Sequence, residues 1–507
     1  MKILPNLRAM LEAVAGEYAG KIAIVSGEQR VTYAELDEAS NKVANALLKM
    51  GLDKGDRVAM LLSNSPEFAV IYFGIVKIGA IAVPLDIKYK FDELATLLNH
   101  CQPRLLVAES PFLESLVPAL PRFKSIEHVI ALGAEYQGQF LTYQEVMATS
   151  SAQGVEVELE AEDIALICYT SGPTSRPRGA TLSHKSLIAE AVASADGFQQ
   201  IDKDVVVLFA LPLFHAFGLE IILLTSLFRG STVVIQPGLS IHSLMETIER
   251  DRVTILMGVP YVFVLAINMA EREGINHDLN SLRLCVSGGA ALPLSVIERF
   301  KLHYGFNIAQ IWGLTEATAH VTCQPVDGTG KPGGVGTPLS VWEVKIVDDS
   351  GRELPINQPG EIIVKGPLMQ NYYANPEDTA AAIKDGWLYT GDMGRIDEDG
   401  ELYILGLKKD MIIVKGQNVY PMDIEAVLRA HPKVAEVAAV GVPDELRGER
   451  IRAVVCLKDG QLVTERELQE FCRGRLANYK VPKQIVIVDS LPKTAAGKIR
   501  KEELKRI

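Results

Sequence analysis

The residues best suited to chemistry lie in the stretch 165–185, where an apolar run gives way to a loop of hydroxyls, glycines and cations. The run from Ile164 to Tyr169 predicts a buried strand. The loop residues that could meet a ligand are Thr170, Ser171, Gly172, Thr174, Ser175, Arg176, Arg178 and Gly179. Backbone N–H groups and cations of such a loop can surround a polyphosphate, and glycine lets the backbone come close. The loop is not a Walker A loop, because no Gly-Lys-Ser/Thr closes it. By itself it would equally suit a polar surface turn.

Five further motifs place polar or small residues at predicted strand ends or near the C-terminus. They are Pro212–Gly218, Ser287–Ala291, Gln310–Glu316, Trp387–Asp392 and Pro492–Lys498. The first of these motifs follows a predicted strand, Val205–Leu211. Small residues at a strand end leave space for a flat ring, and an aspartate can accept hydrogen bonds from both ribose hydroxyls. Glu316 is a hard oxygen ligand suited to Mg²⁺ beside phosphates. Taken alone, His215 could equally be a packing histidine, and glycine-rich turns are common.

The elements that must position these residues follow an α/β pattern. Helical and strand periodicities alternate from about residue 31 to beyond 300, which predicts parallel sheets covered by helices. Thr32 and Glu35 predict a capping box, and Ser65-Pro66 predicts a second helix start. Short strands separated by Gly and Pro follow from about residue 335, and a compact α+β segment follows from about residue 410.

Composition narrows the function class. The chain has 507 residues, enough for about three core-sized units, and its 48% apolar and 22% charged content is that of an ordinary soluble globular protein. A net charge of −12 argues against a nucleic-acid-binding surface as the main function. The six cysteines form no CxxC pair, which favours a reducing compartment and argues against a zinc site. The apolar stretch Leu256–Ala270 is too short to span a bilayer, and the N-terminus lacks a signal-peptide core. We expect a cytoplasmic protein.

The loop at 169–179 resembles the phosphate-binding loop of the adenylate-forming superfamily: acyl-CoA synthetases, peptide-synthetase adenylation domains and firefly-type luciferases. The family pattern Tyr-Thr-Ser-Gly-Thr-Thr-Gly-x-Pro-Lys-Gly is broken at Pro173, Ser175 and Arg178. The stretch 310–316 resembles the family's Tyr-Gly-x-Thr-Glu motif, with Trp312 in place of Tyr. The stretches 387–392 and 492–498 resemble its Trp-x-x-Thr-Gly-Asp and Pro-x-Thr-x-x-Gly-Lys motifs. The matches cover roughly residues 165–501, and the first 160 residues fit by general texture only.

The resemblance implies ATP, Mg²⁺ and CoA, and it implies a role for each matching residue. The implied ATP- or AMP-binding residues are Thr170, Ser171, Gly172, Thr174, Arg178, Gly288, Gly289, Ala290, Trp312, Gly313 and Asp392. The implied catalytic residues are Lys498, Thr315 and Glu316, and Glu316 is also the implied metal ligand. The implied acyl pocket contains His215, Phe217, Val259 and Gly289, the CoA loop contains Lys415, Gly416 and Gln417, and the hinge residue is Lys409.

The resemblance also implies a domain plan. We expect an α/β fold: a large N-terminal adenylation domain, 1–406, with parallel-rich sheets, helices and a β-rich subdomain at about 335–406. A hinge at 407–411 and a small mobile α+β lid domain at 412–507 would follow. A homodimer is possible.

The implied activity is an acid–CoA ligase that forms an acyl-AMP from a fatty or aromatic acid, releases pyrophosphate and passes the acyl group to CoA. His215 stands where peptide synthetases usually carry the aspartate that binds an amino group, which argues against an amino-acid substrate. Leu407 replaces an arginine that usually helps to hold the ribose. Two alternatives stay open: loading of a separate carrier protein, and a nucleotide- or acyl-binding paralogue with little turnover. The departures at Pro173, Ser175 and Leu407 support the second.

Overall fold

The computed structural model describes residues 4–133, 136, 138–170, 177–236, 238–414, 417–444, 448–476, 478–493 and 499–507. Its strands are β1 Ile22–Ser26, β2 Gln29–Thr32, β3 Arg57–Leu61, β4 Ile81–Pro84, β5 Leu105–Glu109, β6 His128–Leu132, β7 Leu141–Thr142, β8 Ile164–Thr170, β9 Arg178–Ser183, β10 Val205–Leu208, β11 Thr232–Ile235, β12 Ile255–Gly258, β13 Leu284–Ser287, β14 Ile308–Trp312, β15 Thr322–Cys323, β16 Thr337–Pro338, β17 Glu343–Val347, β18 Gly360–Lys365, β19 Ile383–Lys384, β20 Trp387–Ile396, β21 Leu402–Leu407, β22 Ile412–Val414, β23 Gln417–Val419, β24 Val434–Asp444, β25 Gly448–Leu457 and β26 Gln484–Ile487.

The α-helices are α1 Leu7–Glu17, α2 Tyr33–Lys49, α3 Pro66–Lys77, α4 Phe91–Cys101, α5 Ser110–Leu116, α6 Tyr143–Thr149, α7 His184–Gly197, α8 Thr225–Arg229, α9 Ile241–Arg250, α10 Pro260–Glu273, α11 Leu294–Tyr304, α12 Pro376–Ala382, α13 Pro421–Arg429, α14 Glu465–Arg473 and α15 Lys501–Leu504. A π-helix covers Phe217–Leu224, and 3₁₀ segments cover Val117–Arg122, Thr315–Ala317, Lys408–Asp410 and Asn478–Lys480.

The chain divides into two compact units. The first comprises Met1–Val344 and Val364–Leu388, and the second comprises Lys345–Ile363 and Tyr389–Ile507. The domain and hinge boundaries expected from the sequence stay a prediction. None of the helices in the described part of the chain is both long and apolar enough to cross a membrane. All six cysteines are buried and form no disulfide.

Two largely parallel sheets form the framework of the first unit. In the described residues, one sheet has nine strands in the order β16-β15-β14-β13-β12-β10-β11-β1-β2. Its strands from β14 to β1 run parallel, and β2, β15 and β16 are antiparallel additions. The other sheet has seven strands in the order β7-β6-β5-β3-β4-β8-β9, with an antiparallel pair only at β8–β9. The predicted parallel sheets are confirmed.

Helices α2 and α3 illustrate how local signals and packing agree. The predicted capping box exists: the N–H of Thr32 donates to Glu35 Oε2 at 2.8 Å, and the N–H of Glu35 donates to Thr32 Oγ1 at 3.2 Å. Every residue of α3 except Glu67 is buried, as expected of a helix that is apolar around its circumference. A Cβ on Gly74 of α3 would lie 2.5 Å from Val43 Cβ of α2, so glycine permits the close approach of the two helices.

The second half of the chain forms two smaller sheets in its described residues. One has five strands, β17-β18-β20-β19 with β21 paired to β20, in the stretch predicted to be β-rich. The other has the order β23-β22-β25-β24 with β26 paired to β25. Helices α13 and α14 cover this last sheet and bury Ile424, Leu428, Leu468 and Cys472 in its core. The predicted α+β character of the C-terminal segment is confirmed.

Candidate active site

The hairpin formed by β8 and β9 carries two of the predicted phosphate-binding residues. Thr170 ends β8 and Arg178 begins β9, and the two residues pair directly across the antiparallel ladder. The Thr170 hydroxyl donates to the Arg178 carbonyl oxygen at 3.4 Å. Residues 171–176, with the predicted Ser171, Gly172 and Thr174, lie outside the described residues. The described part of the hairpin therefore places one hydroxyl and one guanidinium group at the two ends of that loop.

Arg178 is held by an acidic and an aromatic side chain. Its Nε donates to Asp378 Oδ2 at 2.7 Å, and its Cζ lies 5.5 Å from the centroid of the Tyr372 ring. The hydrogen bond to Asp378 raises the pKa of Arg178 further. Because guanidinium groups pair with carboxylates and stack on aromatic faces, both contacts restrict the direction of the cation. Sequence reasoning missed Asp378 and Tyr372.

Tyr372 links this cation to Glu316. The Tyr372 hydroxyl donates to Glu316 Oε1 at 2.8 Å, and the carbonyl oxygen of Glu316 accepts from the N–H of Met369 at 2.9 Å. Burial raises the pKa of Tyr372, and the adjacent Glu316 carboxylate raises it further, so the phenol stays protonated and donates. This hydrogen bond engages Oε1 of Glu316 and fixes the direction of the carboxylate.

This arrangement fits a magnesium ion that is held chiefly by its substrate. Within the part of the chain that the structure describes, no three His, Cys, Asp or Glu side chains are grouped to hold a metal ion. Mg²⁺ in phosphate-transfer sites commonly uses one or two carboxylates together with substrate phosphates and water. Glu316, whose carboxylate is oriented by Tyr372, is the carboxylate predicted for this role.

The carboxyl ends of three parallel strands form the second part of the site. Gly258 of β12 pairs with Ser287 of β13, and Ser287 pairs with Gln310 of β14. The residues that follow these strands are therefore brought to one edge of the sheet, where ligands of open α/β sheets bind. They include Val259, Gly288, Gly289, Ala290 and Gly313, and Trp312 is the last residue of β14 itself.

The turn after β14 leaves no room for a side chain at Gly313. A Cβ there would lie 1.9 Å from the carbonyl oxygen of Ala319. Thr318 and Ala319 both have left-handed backbones, with φ of 41° and 68°. Two consecutive residues in this region cost energy, and such strain is concentrated at functional sites. The strained turn carries the Thr315–Ala317 segment that contains Glu316.

Three of the four predicted acyl-pocket residues come together. A Cβ on Gly289 would lie 3.5 Å from Val259 Cγ1 and 4.0 Å from Phe217 Cδ1, and a Cβ on Gly288 would lie 3.2 Å from Phe217 Cε1. Phe217 begins the π-helix, a rare conformation that is frequent at functional sites. Phe217 is 5% exposed and Gly288 is buried, so the absence of a side chain at Gly288 lets the ring pack closely against this backbone, while Gly289 is exposed beside it.

His215, the fourth predicted residue, is exposed and precedes the π-helix. Its Nδ1 accepts a hydrogen bond from the N–H of Phe217 at 3.3 Å. The Asn64 side chain holds the preceding backbone, since it donates to the Leu211 carbonyl at 2.8 Å and accepts from the N–H of Leu213 at 2.7 Å. Strand β10 accordingly ends at Leu208, so the predicted strand 205–211 was too long. Asn64 carried no sequence signal, because its partners are main-chain groups remote in the chain.

In the second unit, Asp392 lies on β20, next to a shift in the strand register between Met393 and Gly394. Its N–H donates to Thr390 Oγ1 at 3.1 Å, and the Thr390 hydroxyl donates to the Ile362 carbonyl oxygen at 2.7 Å. Gly391 has φ of 74°, and its N–H donates to Glu361 Oε1 at 3.2 Å. These contacts fix the backbone conformation around Asp392, the residue predicted to bind the ribose hydroxyls.

Leu407 shares a face of the sheet with Asp392. The two residues pair across the β20–β21 ladder, and directly opposed side chains lie on the same face. Leu407 is 39% exposed. The neighbouring Lys408 does not replace the arginine expected at 407, because its Nζ bonds Glu361 Oε2 at 2.8 Å and Asp349 Oδ1 at 2.9 Å.

The remaining predicted residues are only partly located. Lys415, Gly416 and Lys498 lie outside the described residues, and Gln417 is placed by its backbone as the first residue of β23. Lys409, the predicted hinge, is the middle residue of the 3₁₀ segment Lys408–Asp410. The roles assigned to these residues stay predictions.

Comparison with known proteins decides the family. Residues 11–373 match the model of the AMP-binding enzyme family, and residues 423–498 match that of the AMP-binding enzyme C-terminal domain. The chain belongs to the AMP-binding enzymes. The predicted superfamily is therefore confirmed.

This AMP-binding enzyme is similar along nearly its whole length to CoA ligases. It is 32% identical to a long-chain-fatty-acid–CoA ligase of Bacillus subtilis, with 99% of this chain and 94% of the relative covered. It is 35% identical to an indoleacetate–CoA ligase of Aromatoleum aromaticum, with 99% and 98% covered. Among solved structures, the anthranilate CoA ligase AuaEII in complex with anthranoyl-AMP matches with a TM-score of 0.91 and 30% identity, covering 100% of this chain and 98% of that chain. The predicted fold class and the predicted class of acid–CoA ligase are confirmed.

Proposed function

We propose that this AMP-binding enzyme joins a fatty or aromatic carboxylic acid to CoA in two steps through an acyl-adenylate. One observation carries the proposal: Tyr372 connects the carboxylate of Glu316 to the cation of Arg178. Glu316 follows β14, whose end adjoins the glycines after β13. A site for a nucleoside triphosphate combines a carboxylate for the metal ion, a cation for the phosphates and small residues that leave space for the flat base.

In the first step, an oxygen of the substrate carboxylate attacks the α-phosphorus of ATP, the bond to the bridging oxygen breaks, and pyrophosphate leaves. The chain's contribution is positioning and charge neutralisation, as in other phosphoryl-group chemistry. Thr315 would hydrogen-bond the α-phosphate, and Arg178 would face the leaving pyrophosphate. Lys498 would meet the carboxylate and the α-phosphate. Mg²⁺ on Glu316 would neutralise phosphate charge.

In the second step, the CoA thiol attacks the acyl carbonyl, loses its proton, and the bond to AMP breaks. We assign the approach of CoA to the loop with Lys415, Gly416 and Gln417, and the change between steps to the hinge residue Lys409. Asp392 remains our candidate for the ribose hydroxyls.

The residues around Phe217 support the proposed class of acyl group. Phe217 and Val259 are apolar, and Gly289 adds no side chain, so this surface offers no charge to a second carboxylate. His215, two residues before Phe217, is the polar residue nearest to Phe217 in sequence, and its side chain is exposed. The relatives named for fatty, indoleacetic and anthranilic acids span the same range of apolar and aromatic acyl groups.

The experiment is to incubate the full chain with ATP, Mg²⁺, CoA and a mixed pool of fatty and aromatic acids, and to identify products by mass spectrometry. A dominant thioester together with AMP supports the proposal and names the acid. AMP and acyl-adenylate without thioester would instead assign the acyl group to a carrier protein. Bound ATP with no AMP from any acid would refute ligase activity and favour a binding paralogue.

A further inference from the structure

His100, the penultimate residue of α4, lies between Tyr169 of β8 and Tyr373, a residue beside β9. Its Nδ1 is 2.7 Å from the hydroxyl oxygen of Tyr169. Its ring meets the rings of Tyr169 and Tyr373 edge-on, with centroids 5.7 Å apart in each pair. One side chain thus touches a residue of β8 and a residue of the segment that pairs with β9.

Gly179 completes this set of contacts. It pairs with Tyr169 across the hairpin, and a Cβ on Gly179 would lie 3.1 Å from Tyr169 Cε1, so the tyrosine ring covers the glycine. The Gly179 carbonyl accepts from the N–H of Tyr373 at 2.7 Å. His100, Tyr169, Gly179 and Tyr373 therefore form a closed circle of contacts, which we call the hairpin anchor.

The hairpin anchor adjoins the residues assigned to ATP. Tyr169 precedes Thr170, and Gly179 follows Arg178. Tyr372, the neighbour of Tyr373, contacts both Arg178 and Glu316. A change in the anchor is therefore transmitted through one peptide unit to each of these groups.

The hydrogen bond within the anchor requires a neutral imidazole for Tyr169 to donate. Partial burial lowers the pKa of His100, which favours the neutral ring. With the proton on Nε2, Nδ1 accepts from the Tyr169 hydroxyl. A phenylalanine at either position would keep the ring packing and lose this bond.

We infer that His100 is a positioning residue for ATP binding: by holding Tyr169 and Tyr373 together, it sets the orientation of Thr170 and Arg178. The inference rests on the proposed role of those two residues in binding ATP. His100 is remote in sequence from both Thr170 and Arg178, and it belongs to none of the sequence motifs described above.

The test is the dissociation constant of ATP, measured by calorimetry on the full chain without any acid. His100→Phe and Tyr169→Phe should each weaken ATP binding by about three- to tenfold, the value of one hydrogen bond. The Tyr169 hydroxyl also interacts with the Cys101 side chain, so Tyr169→Phe removes that contact in addition to the bond to His100. The double variant should therefore be no weaker than Tyr169→Phe alone, because His100→Phe removes only a bond that Tyr169→Phe already removes. His100→Asn should recover part of the loss, since its side chain offers an acceptor close to the position of Nδ1.

Thr96→Ala is the matched control on the same helix. The exposed Thr96 hydroxyl donates to the Asp92 carbonyl at 2.8 Å, so this variant also loses a hydrogen bond of α4 but leaves the anchor intact. It should bind ATP as the wild type does. Melting temperatures of all variants report whether the fold is retained.

Wild-type ATP affinity in both phenylalanine variants, or losses that simply multiply in the double variant, would overturn the inference. Failure of the proposed function looks different: the wild-type chain would bind ATP yet form no acyl-adenylate. The comparison of ATP affinities would still decide the role of His100 in that case.

Discussion

Removal of the Tyr372 hydroxyl isolates one contact at the centre of the site. In Tyr372→Phe the ring can still pack and remain beside the Arg178 guanidinium, 5.5 Å from its Cζ. Glu316 Oε1 loses the hydrogen bond of 2.8 Å that fixes its direction. The carboxylate must then be oriented when Mg²⁺ and ATP bind, so we expect weaker use of Mg·ATP.

The magnitude follows from the charge and burial of the pair. A hydrogen bond to a charged group is worth about 1.5–3 kcal/mol, and about 1.4 kcal/mol corresponds to a tenfold change in rate. Tyr372 is only 5% exposed, but Glu316 is partly exposed, so water can replace some of the lost interaction. The lower end of the range applies, and kcat/KM for ATP should fall about tenfold to thirtyfold.

The assay is pyrophosphate release at a series of Mg²⁺ concentrations, with the acid identified by mass spectrometry. The loss should shrink as Mg²⁺ rises. Tyr304→Phe is the control, because the Tyr304 hydroxyl donates to the Ala266 carbonyl at 2.7 Å on α10 and does not contact Glu316. If both variants show the same kcat/KM and the same Mg²⁺ dependence, the orienting role of Tyr372 is refuted.

Three other perturbations test separate parts of the argument. Lys498→Ala should nearly abolish acyl-adenylate formation while thioester formation from supplied acyl-AMP persists, and equal loss of both steps would contradict its role. Leu407→Arg should tighten ATP binding about two- to fivefold in calorimetry, which is the contribution of a partly exposed charged contact. An unchanged ATP affinity would contradict the idea that Leu407, in place of the usual arginine, weakens ATP binding. Burial raises the pKa of Glu190 from 4.5 to about 8, so the folded chain retains a proton that the unfolded chain releases, and stability declines as pH rises through this window. Glu190→Gln should therefore gain in melting temperature relative to wild type between pH 5 and pH 8, and a constant difference would contradict the assigned burial effect.

Much of the local structure was accessible from the sequence because its causes are local. The Thr32–Glu35 capping box and the Ser65-Pro66 helix start involve groups within one helical turn, and both are observed. The apolar run before Thr170 predicted β8, and its ends agree to one residue. The strand 205–211 was predicted too long, because Asn64 bonds the backbone at Leu211 and Leu213 and diverts it from the sheet.

The amino-acid sequence alone supplies the chemical groups of the site: the carboxylate of Glu316, the cation of Arg178 and the small residues after β13. The resemblance of its motifs to those of the adenylate-forming superfamily also implies the class of acid–CoA ligase. The partners that orient these groups are visible only in the folded chain. Asp378 lies 200 residues from Arg178, and Tyr372 lies 56 residues from Glu316. Such contacts depend on strand order and register, which bring remote segments to one sheet edge. Local propensity reflects interactions within a few residues, and it carries no information on which remote segments meet.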